Sequence, residues 1–302
     1  MTHSNHLSNA PFKWWRERDD DFGAALSLNA QLLHSEQSPY QLIEIFDTAP
    51  FGRVLVLDGY VQASQADEFI YHEMAIHVPL LGRKHEAANI LIIGGGEGGA
   101  LREALKHSFV KNVTMVEIDQ RVVDLSSEYL GVNGDYNDPR VNLIIGDAST
   151  FVDDALARNE TYDLVLLDLT EPVGPSAALF TQGFCEKLVK LINKDGVIVD
   201  SDSLYLSRAA NGTPQGSFLQ EVSGDGENLV SVMKRTKLLP CIEVYHAKVP
   251  LYPGADFGFF LYSHHGESYR LPVKSFTGDH YNSAVHTAAF ALPEWQKRWI
   301  NS

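Results

Sequence analysis

The sequence predicts an α/β protein: a Rossmann-like doubly wound sheet preceded by a small N-terminal antiparallel β domain. Three observations predict it. From Ala88 onward, apolar strand-like runs alternate with helical runs, the rhythm of a parallel sheet covered on both faces. The first of these strands, Leu91-Ile92-Ile93, runs into a glycine-rich turn, Gly94-Gly95-Gly96-Glu97-Gly98-Gly99. Before the alternation begins, Ala24 to Ser64 is a series of short alternating runs with turn residues between them. The length of 302 residues, 44% of them hydrophobic, accommodates one large domain plus a small one. The reading divides the chain into residues 1–64, the β domain, and 65–302, the Rossmann-like domain that carries the site.

In order, the β domain has strands at Ala24–Leu33, Tyr40–Phe46, Gly52–Leu57 and Tyr60–Ala63, with Asp58-Gly59 as a tight hairpin turn. A helix follows over Ala66–Leu80, where Phe69, Ile70, Met74, Ala75 and Val78 recur at three-to-four spacing. The alternation then reads Ile90–Ile93 (strand), Ala100–His107 (helix), Asn112–Val116 (strand), Arg121–Leu130 (helix), Val141–Ile145 (strand) and Phe151–Arg158 (helix). It continues with Tyr162–Leu167 (strand), Thr181–Leu191 (helix) and Gly196–Asp200 (strand). Ser203–Asn228, rich in Ser, Gly and Asn, reads as a long loop or irregular insertion. A helix near Leu229–Leu238 and strands near Glu243–Val249 and Gly258–Tyr262 complete the sheet.

Composition excludes several classes. A net charge of −15 repels phosphate backbones, so no nucleic-acid partner is expected. No apolar run approaches the roughly 18–20 residues of a membrane span. Met1–Lys13 lacks the basic-then-apolar order of a signal peptide, and the two cysteines, Cys185 and Cys241, form no disulfide or metal pattern. The expectation is a reduced cytoplasm. The twelve histidines are scattered with no i, i+4 pair, so no metal is expected; His264-His265 reads as a surface turn.

Ligands of such sheets bind at the carboxyl ends of the strands. A glycine turn there usually cradles phosphate through free N–H groups and a helix dipole. Glu97 inverts that logic: a carboxylate in the turn repels pyrophosphate and suits a nucleoside that carries a positive charge. Glu117 ends the second strand, 20 residues after Glu97, where an acid accepts hydrogen bonds from ribose hydroxyls. Asp147, in Gly146-Asp147-Ala148, ends the third strand and can accept from an adenine amine, or cap the helix that follows. Asp168 and Glu171 follow the fourth strand in a loop stiffened by two prolines. They can converge on one amine and take the proton it must lose to become a nucleophile. Glu97, Glu117, Asp147 and Asp168 thus mark four successive strand ends with acids and no lysine or arginine. A methyl donor with an amino-acid carboxylate needs donors around it; a decarboxylated sulfonium nucleoside ends in a bare ammonium and needs acids.

With those residues in place, the chain resembles the spermidine synthase (polyamine aminopropyltransferase) family, bacterial type, from about Trp14 to Trp299. The resemblance is carried by Pro39-Tyr40-Gln41, Leu57-Asp58-Gly59-Tyr60-Val61-Gln62 and Asp67-Glu68-Phe69-Ile70-Tyr71-His72-Glu73-Met74. It continues through Gly94–Gly99, Asp138-Pro139-Arg140-Val141, Pro172-Val173-Gly174-Pro175, Tyr252-Pro253-Gly254 and His286–Pro293. It implies the class I S-adenosylmethionine-methyltransferase-like form of the doubly wound sheet. It also implies transfer of an aminopropyl group from decarboxylated S-adenosylmethionine, a co-substrate rather than a cofactor, to a diamine such as putrescine, giving spermidine and methylthioadenosine. In that scheme Asp168 accepts the proton. Glu171, Tyr71 and Tyr252 hold the acceptor, and His72 and Glu97 position the aminopropyl ammonium and polyamine. Gln41, Gln62, Gly94, Gly96, Glu117, Asp147, Ala148 and Pro175 hold the nucleoside. The family also implies a homodimer or homotetramer joined through the N-terminal domain. Three departures stand out: Glu97 and Glu171 where the family usually has Asp, and Asp200-Ser201-Asp202-Ser203 in place of a glutamine-containing turn. Spermidine, agmatine and cadaverine stay open as acceptors. A methyltransferase on the same sheet and a catalytically silent polyamine-binding relative stay open as alternatives.

Overall fold

The computed structural model describes residues 11–18, 26–86, 88–170, 174–204, 207–208, 214–215, 229–252, 256–266 and 268–300. Five strands form an antiparallel meander: β1 (Lys13–Arg16), β2 (Ser27–Gln37), β3 (Leu42–Thr48), β4 (Gly52–Leu57) and β5 (Tyr60–Ser64). Asp58 and Gly59 close the β4–β5 hairpin, both with positive φ (50° and 90°), as a two-residue turn of matching twist requires. The four-residue β1 pairs with β2 and is absent from the sequence expectation; Lys-Trp-Trp-Arg is too short to show a period.

Helix α1 (Glu68–Leu81) leads into the second sheet. Its parallel part comprises β6 (Asn89–Gly94), β7 (Asn112–Glu117), β8 (Val141–Ile145), β9 (Tyr162–Asp168) and β10 (Ile192–Leu204). The connecting helices are α2 (Gly99–Leu105), α3 (Gln120–Leu125), α4 (Ala148–Ala157) and α5 (Gln182–Leu191). A two-residue ribbon follows, β11 (Ser207–Arg208) with β12 (Pro214–Gln215), and then α6 (Leu229–Thr236). Strands β13 (Cys241–Lys248) and β14 (Asp256–Ser263) add an antiparallel edge, giving the order β13-β14-β10-β9-β6-β7-β8. Helices α7 (Ser283–Ala289) and α8 (Glu294–Ile300) close the described chain.

Alternation along the strands sorts the core. Ile90 and Ile92 of β6, Leu164 and Leu166 of β9 and Val199 of β10 pack toward α1 and α2. Leu91 and Ile93, Val165 and Leu167, and Ile198 pack toward α4, α5 and α6. A third cluster joins Ile43, Ile45, Leu55 and Leu57 of the small sheet to Val122, Leu125 and Leu130 beyond β7. The small sheet is thereby fixed over the carboxyl ends of the large one.

Three expectations need correction. The helix read as Arg121–Leu130 is α-helical only to Leu125. Ser126–Leu130 winds as a π turn, closed by Gly131 (φ 66°), whose N–H donates to the Ser126 carbonyl at 3.0 Å. The segment Asp200–Ser203 is strand, not turn: β10 pairs with β14 from Val197↔Ser263 to Leu204↔Asp256. Helices α7 and α8 were not expected, although Asn282 is a capping residue whose side chain accepts from the N–H groups of Ala284 and Val285. The expected loop at Ser203–Asn228 lies mostly outside the described residues. His264 and His265 do form a bend after β14.

Candidate active site

The chain runs β6, β7, β8 in one direction and then returns to lay β9 on the other side of β6, so the strand order reverses between β6 and β9. A crevice opens at the carboxyl ends there. Ladder pairing sets Gly94 opposite Asp168. The glycine turn and the fourth strand-end acid therefore meet by register, not by chance of loop conformation. Glycine is required at this approach: a Cβ on Gly94 (φ 83°) would lie 2.1 Å from the Asp168 carbonyl, and one on Gly95 (φ 71°) 2.9 Å from Asp168 Oδ2. The Gly95 N–H donates to the Asp168 carbonyl at 2.9 Å and locks the turn.

The cleft at this junction is lined by Gln41, Gln62, Tyr71, His72, Gly94, Gly96, Glu97, Glu117, Asp147, Ala148, Asp168 and Tyr252. Every described residue expected in the site is in it. Glu171 lies outside the described residues. Pro175 falls within the 3₁₀ turn Gly174–Phe180, and its side chain is likewise outside them.

Asp168 sits at the floor. Tyr71, one turn into α1, donates from its hydroxyl to Asp168 Oδ1 at 2.7 Å and lies 2.9 Å from Ser201 Oγ. Asp168 Oδ2 is buried and has no hydrogen-bond partner among the described residues. Burial, reinforced by the charge of Glu97, pushes the Asp168 carboxyl up to about 7; His72 and the Tyr71 hydrogen bond pull the other way. His72 is 2% exposed. Its Nε2 lies 2.7 Å from Glu97 Oε1 and its Nδ1 2.6 Å from Glu68 Oε2. Burial opposes its protonation, but these two carboxylates prevail and hold its pKa at about 10. His72, Glu97 and Asp168 bring their polar atoms within 4.8 Å of one another. Both nitrogens of His72 face carboxylates.

Glu117, also buried, accepts the Asp119 N–H at 2.8 Å, and desolvation raises its pKa to about 7, with Glu97 adding to the effect. Asp147 is both a helix cap and a cleft residue. It caps α4, accepting the Thr150 N–H at 2.7 Å, and it lines the cleft. The Tyr252 hydroxyl donates to the Gln62 carbonyl at 2.6 Å, tying the second domain to the lip of the first.

Two contributors escaped the sequence reading. Ser201 enters the cleft from β10, while its neighbour Asp200 does not line it. Alternation decides which of the two faces inward, and that needed the register of β10. Asp119 is 1% exposed and caps α3. Its Oδ2 accepts from Ser38 Oγ (2.6 Å) and Gln41 Nε2 (3.2 Å), fixing the β2–β3 turn over the cleft. Its place in Val116-Glu117-Ile118-Asp119, directly before a helical run, was the available signal.

Comparison with known proteins agrees with this geometry. A family model described as the spermine/spermidine synthase domain matches residues 68–208, and one described as the spermidine synthase tetramerisation domain matches residues 13–65. The polyamine aminopropyltransferase of Escherichia coli O1:K1 / APEC is 38% identical over 294 residues, covering 94% of this chain and 95% of its own. That of Salmonella newport (strain SL254) is 38% identical over 293 residues, covering 93% and 95%. A crystal structure of spermidine synthase in complex with the transition state analogue AdoDATO superposes with a TM-score of 0.78 at 26% identity, over 100% of this chain and 98% of that one. Spermidine synthase from Thermotoga maritima gives 0.77 at 26% identity, with the same coverage. The fold, a seven-stranded mixed sheet preceded by a small antiparallel β domain, is thus shared with these enzymes along nearly the whole chain, and the protein belongs to the spermine/spermidine synthase family of polyamine aminopropyltransferases.

Proposed function

We propose that the cleft moves the aminopropyl group of decarboxylated S-adenosylmethionine to putrescine. The observation that carries this reading is Asp168: one carboxylate oxygen held by Tyr71, the other buried beneath the glycine turn with no hydrogen-bond partner among the described residues. Such an oxygen is placed to take a proton from an incoming ammonium. The neutral amine then attacks the carbon beside the sulfonium, the C–N bond forms, and the C–S pair returns to sulfur as a neutral thioether. The products are spermidine, methylthioadenosine and the proton.

Glu97 and His72 position the aminopropyl ammonium. Tyr71, Tyr252 and Glu171 hold the acceptor. Gln41, Gln62, Gly94, Gly96, Glu117, Asp147, Ala148 and Pro175 hold the nucleoside, with Glu117 on the ribose and Asp147 on the adenine amine. Decarboxylated S-adenosylmethionine is a co-substrate, and no further cofactor enters the reaction. The N-terminal sheet joins subunits into a homodimer or homotetramer. Its match to a tetramerisation domain supports that assembly. Among the described residues no helix is long and apolar enough to cross a membrane, and Cys185 and Cys241 form no disulfide; a reduced cytoplasm is part of the same proposal.

The test is incubation of the purified protein with either decarboxylated or intact S-adenosylmethionine and a panel of putrescine, cadaverine, agmatine and spermidine, with products read by mass. Methylthioadenosine and spermidine formed fastest from the decarboxylated donor and putrescine are expected. Adenosylhomocysteine, or no turnover with any amine, overturns the reading; faster turnover of another amine reassigns the acceptor.

A further inference from the structure

Behind the cleft, α1 and α2 enclose a continuous line of ionisable groups. Glu97 Oε1 meets His72 Nε2 at 2.7 Å, and His72 Nδ1 meets Glu68 Oε2 at 2.6 Å. Arg102 grips Glu68 in a fork, Nη1 to Oε1 and Nη2 to Oε2, both at 2.9 Å. Arg102 is itself fixed: its Nε donates to Glu103 Oε1 at 2.8 Å, and its Nη1 donates to the Val132 carbonyl. Glu68 is buried, and Glu103 fully so. Glu68 therefore cannot swing away from His72 without breaking a bidentate pair.

A neutral imidazole offers one N–H and one lone pair. Here both ring nitrogens face carboxylate oxygens, and a lone pair aimed at a carboxylate is repulsive. Only the imidazolium satisfies both contacts. The start of α2 lies close on the ring: a Cβ built at Gly99 would clash with His72 Nδ1. The edge of Tyr71 closes the other side, with ring centroids 5.0 Å apart.

We propose that Glu68, oriented by Arg102, is a positioning residue: it holds His72 as an imidazolium, and that imidazolium clamps the Glu97 carboxylate in the orientation that receives the donor's ammonium. The ammonium's assignment to Glu97 rests on the function proposed above; the state of His72 does not. The charged groups facing His72 are Glu68 from α1, Glu97 from the glycine turn and Asp168 from β9, with Arg102 behind Glu68 on α2 and the Tyr71 hydroxyl beside Asp168. The Tyr136 hydroxyl and Glu117 lie further out, coupled to Glu97. A fixed positive charge in this set pulls the pKa of the Asp168 carboxyl down, against burial and Glu97's field. The device thus protects the proton acceptor as well as the ammonium clamp.

The decisive measurement is ¹⁵N NMR of histidine-labelled wild-type enzyme. Both His72 ring nitrogens are expected to stay protonated at pH 8; a neutral ring there overturns the proposal. Glu68→Gln is expected to give a neutral His72 at pH 8 and a rise in donor KM of about tenfold. The acid limb of kcat should move to higher pH by about one unit, as loss of a neighbouring charge shifts a carboxyl by 1–3 units. A Glu68→Gln enzyme with His72 still protonated and an unmoved pH profile also overturns it. If that variant does not fold, the wild-type spectrum alone decides. Absence of methylthioadenosine with His72 still protonated would count against the aminopropyl reading and leave the His72 assignment standing.

Discussion

At the scale of the residue, Asp168 concentrates the chemistry. Asn in its place keeps the shape and still accepts the Tyr71 hydroxyl, but it cannot take a proton. Asp168→Asn is expected to lower turnover by about two orders of magnitude or more while donor binding persists, read by single-turnover formation of methylthioadenosine. Near wild-type turnover would remove Asp168 from its role. The same carboxyl sets the pH dependence. It must be ionised to act, and burial holds it at about 7 in the free enzyme. The profile of kcat/KM should therefore fall on the acid side of about pH 7, where an exposed aspartate would remain active to about pH 4. Tyr71→Phe removes a hydrogen bond that favours the ionised form, so the acid limb of that variant should shift to still higher pH. An unmoved limb would show that another group controls it.

At the scale of the element, α1 holds the two domains and the tail together. Tyr71 and His72 reach the cleft, while Glu73, next in sequence, is fully buried on another side. Its carboxylate accepts the backbone N–H groups of Asp279 (2.8 Å), His280 (2.9 Å) and Tyr281 (2.6 Å). Gly278 lets this loop close on it: a Cβ there would lie 2.3 Å from Glu73 Oε2. Removing the acceptor leaves three donors unsatisfied in the interior. Glu73→Ala is expected to cost about 3 kcal/mol or more in urea unfolding, with faster amide exchange in the 278–289 segment; unchanged exchange there would show that the loop is held by other contacts. The elements that the sequence made legible were those with a strong period or a glycine signal, such as β6 with its turn. The loop around Glu73 was not legible, because a carboxylate that binds backbone 200 residues away leaves no local pattern. Ser201 was hidden for a related reason. Whether it or Asp200 faces the cleft depends on the pairing of β10 with β14, a long-range fact. By contrast, Glu97, Glu117, Asp147 and Asp168 could be read together, because each lies at or just past the carboxyl end of a strand and strand ends converge in this topology.

At the scale of the whole molecule, the site places a load on stability that depends on pH. Asp168 and Glu117 in the cleft, and Asp200 one strand away, are buried carboxyls each pushed up to about 7, chiefly by desolvation. In the unfolded chain such groups ionise near pH 4. Between those two values the folded state binds more protons than the unfolded state, so each group's contribution to stability declines as pH rises from about 4 to about 7. For the two cleft acids, binding of the cationic donor proposed above would offset that cost. Asp200 does not line the cleft, and among the described residues only the backbone N–H of Ser201 favours its ionised form. Asp200→Asn removes the titration while keeping size and polarity. Its unfolding free energy relative to wild type, read by urea titration, should therefore become more favourable as pH rises from 5 to 8, by an amount on the order of 1–3 kcal/mol at about 1.4 kcal/mol per unit of pKa difference. A saturating cationic sulfonium donor should leave that difference in place, since it neutralises the cleft and not Asp200. A difference that stays flat with pH would show that Asp200 titrates as an exposed acid does, and that the stability load is confined to the cleft.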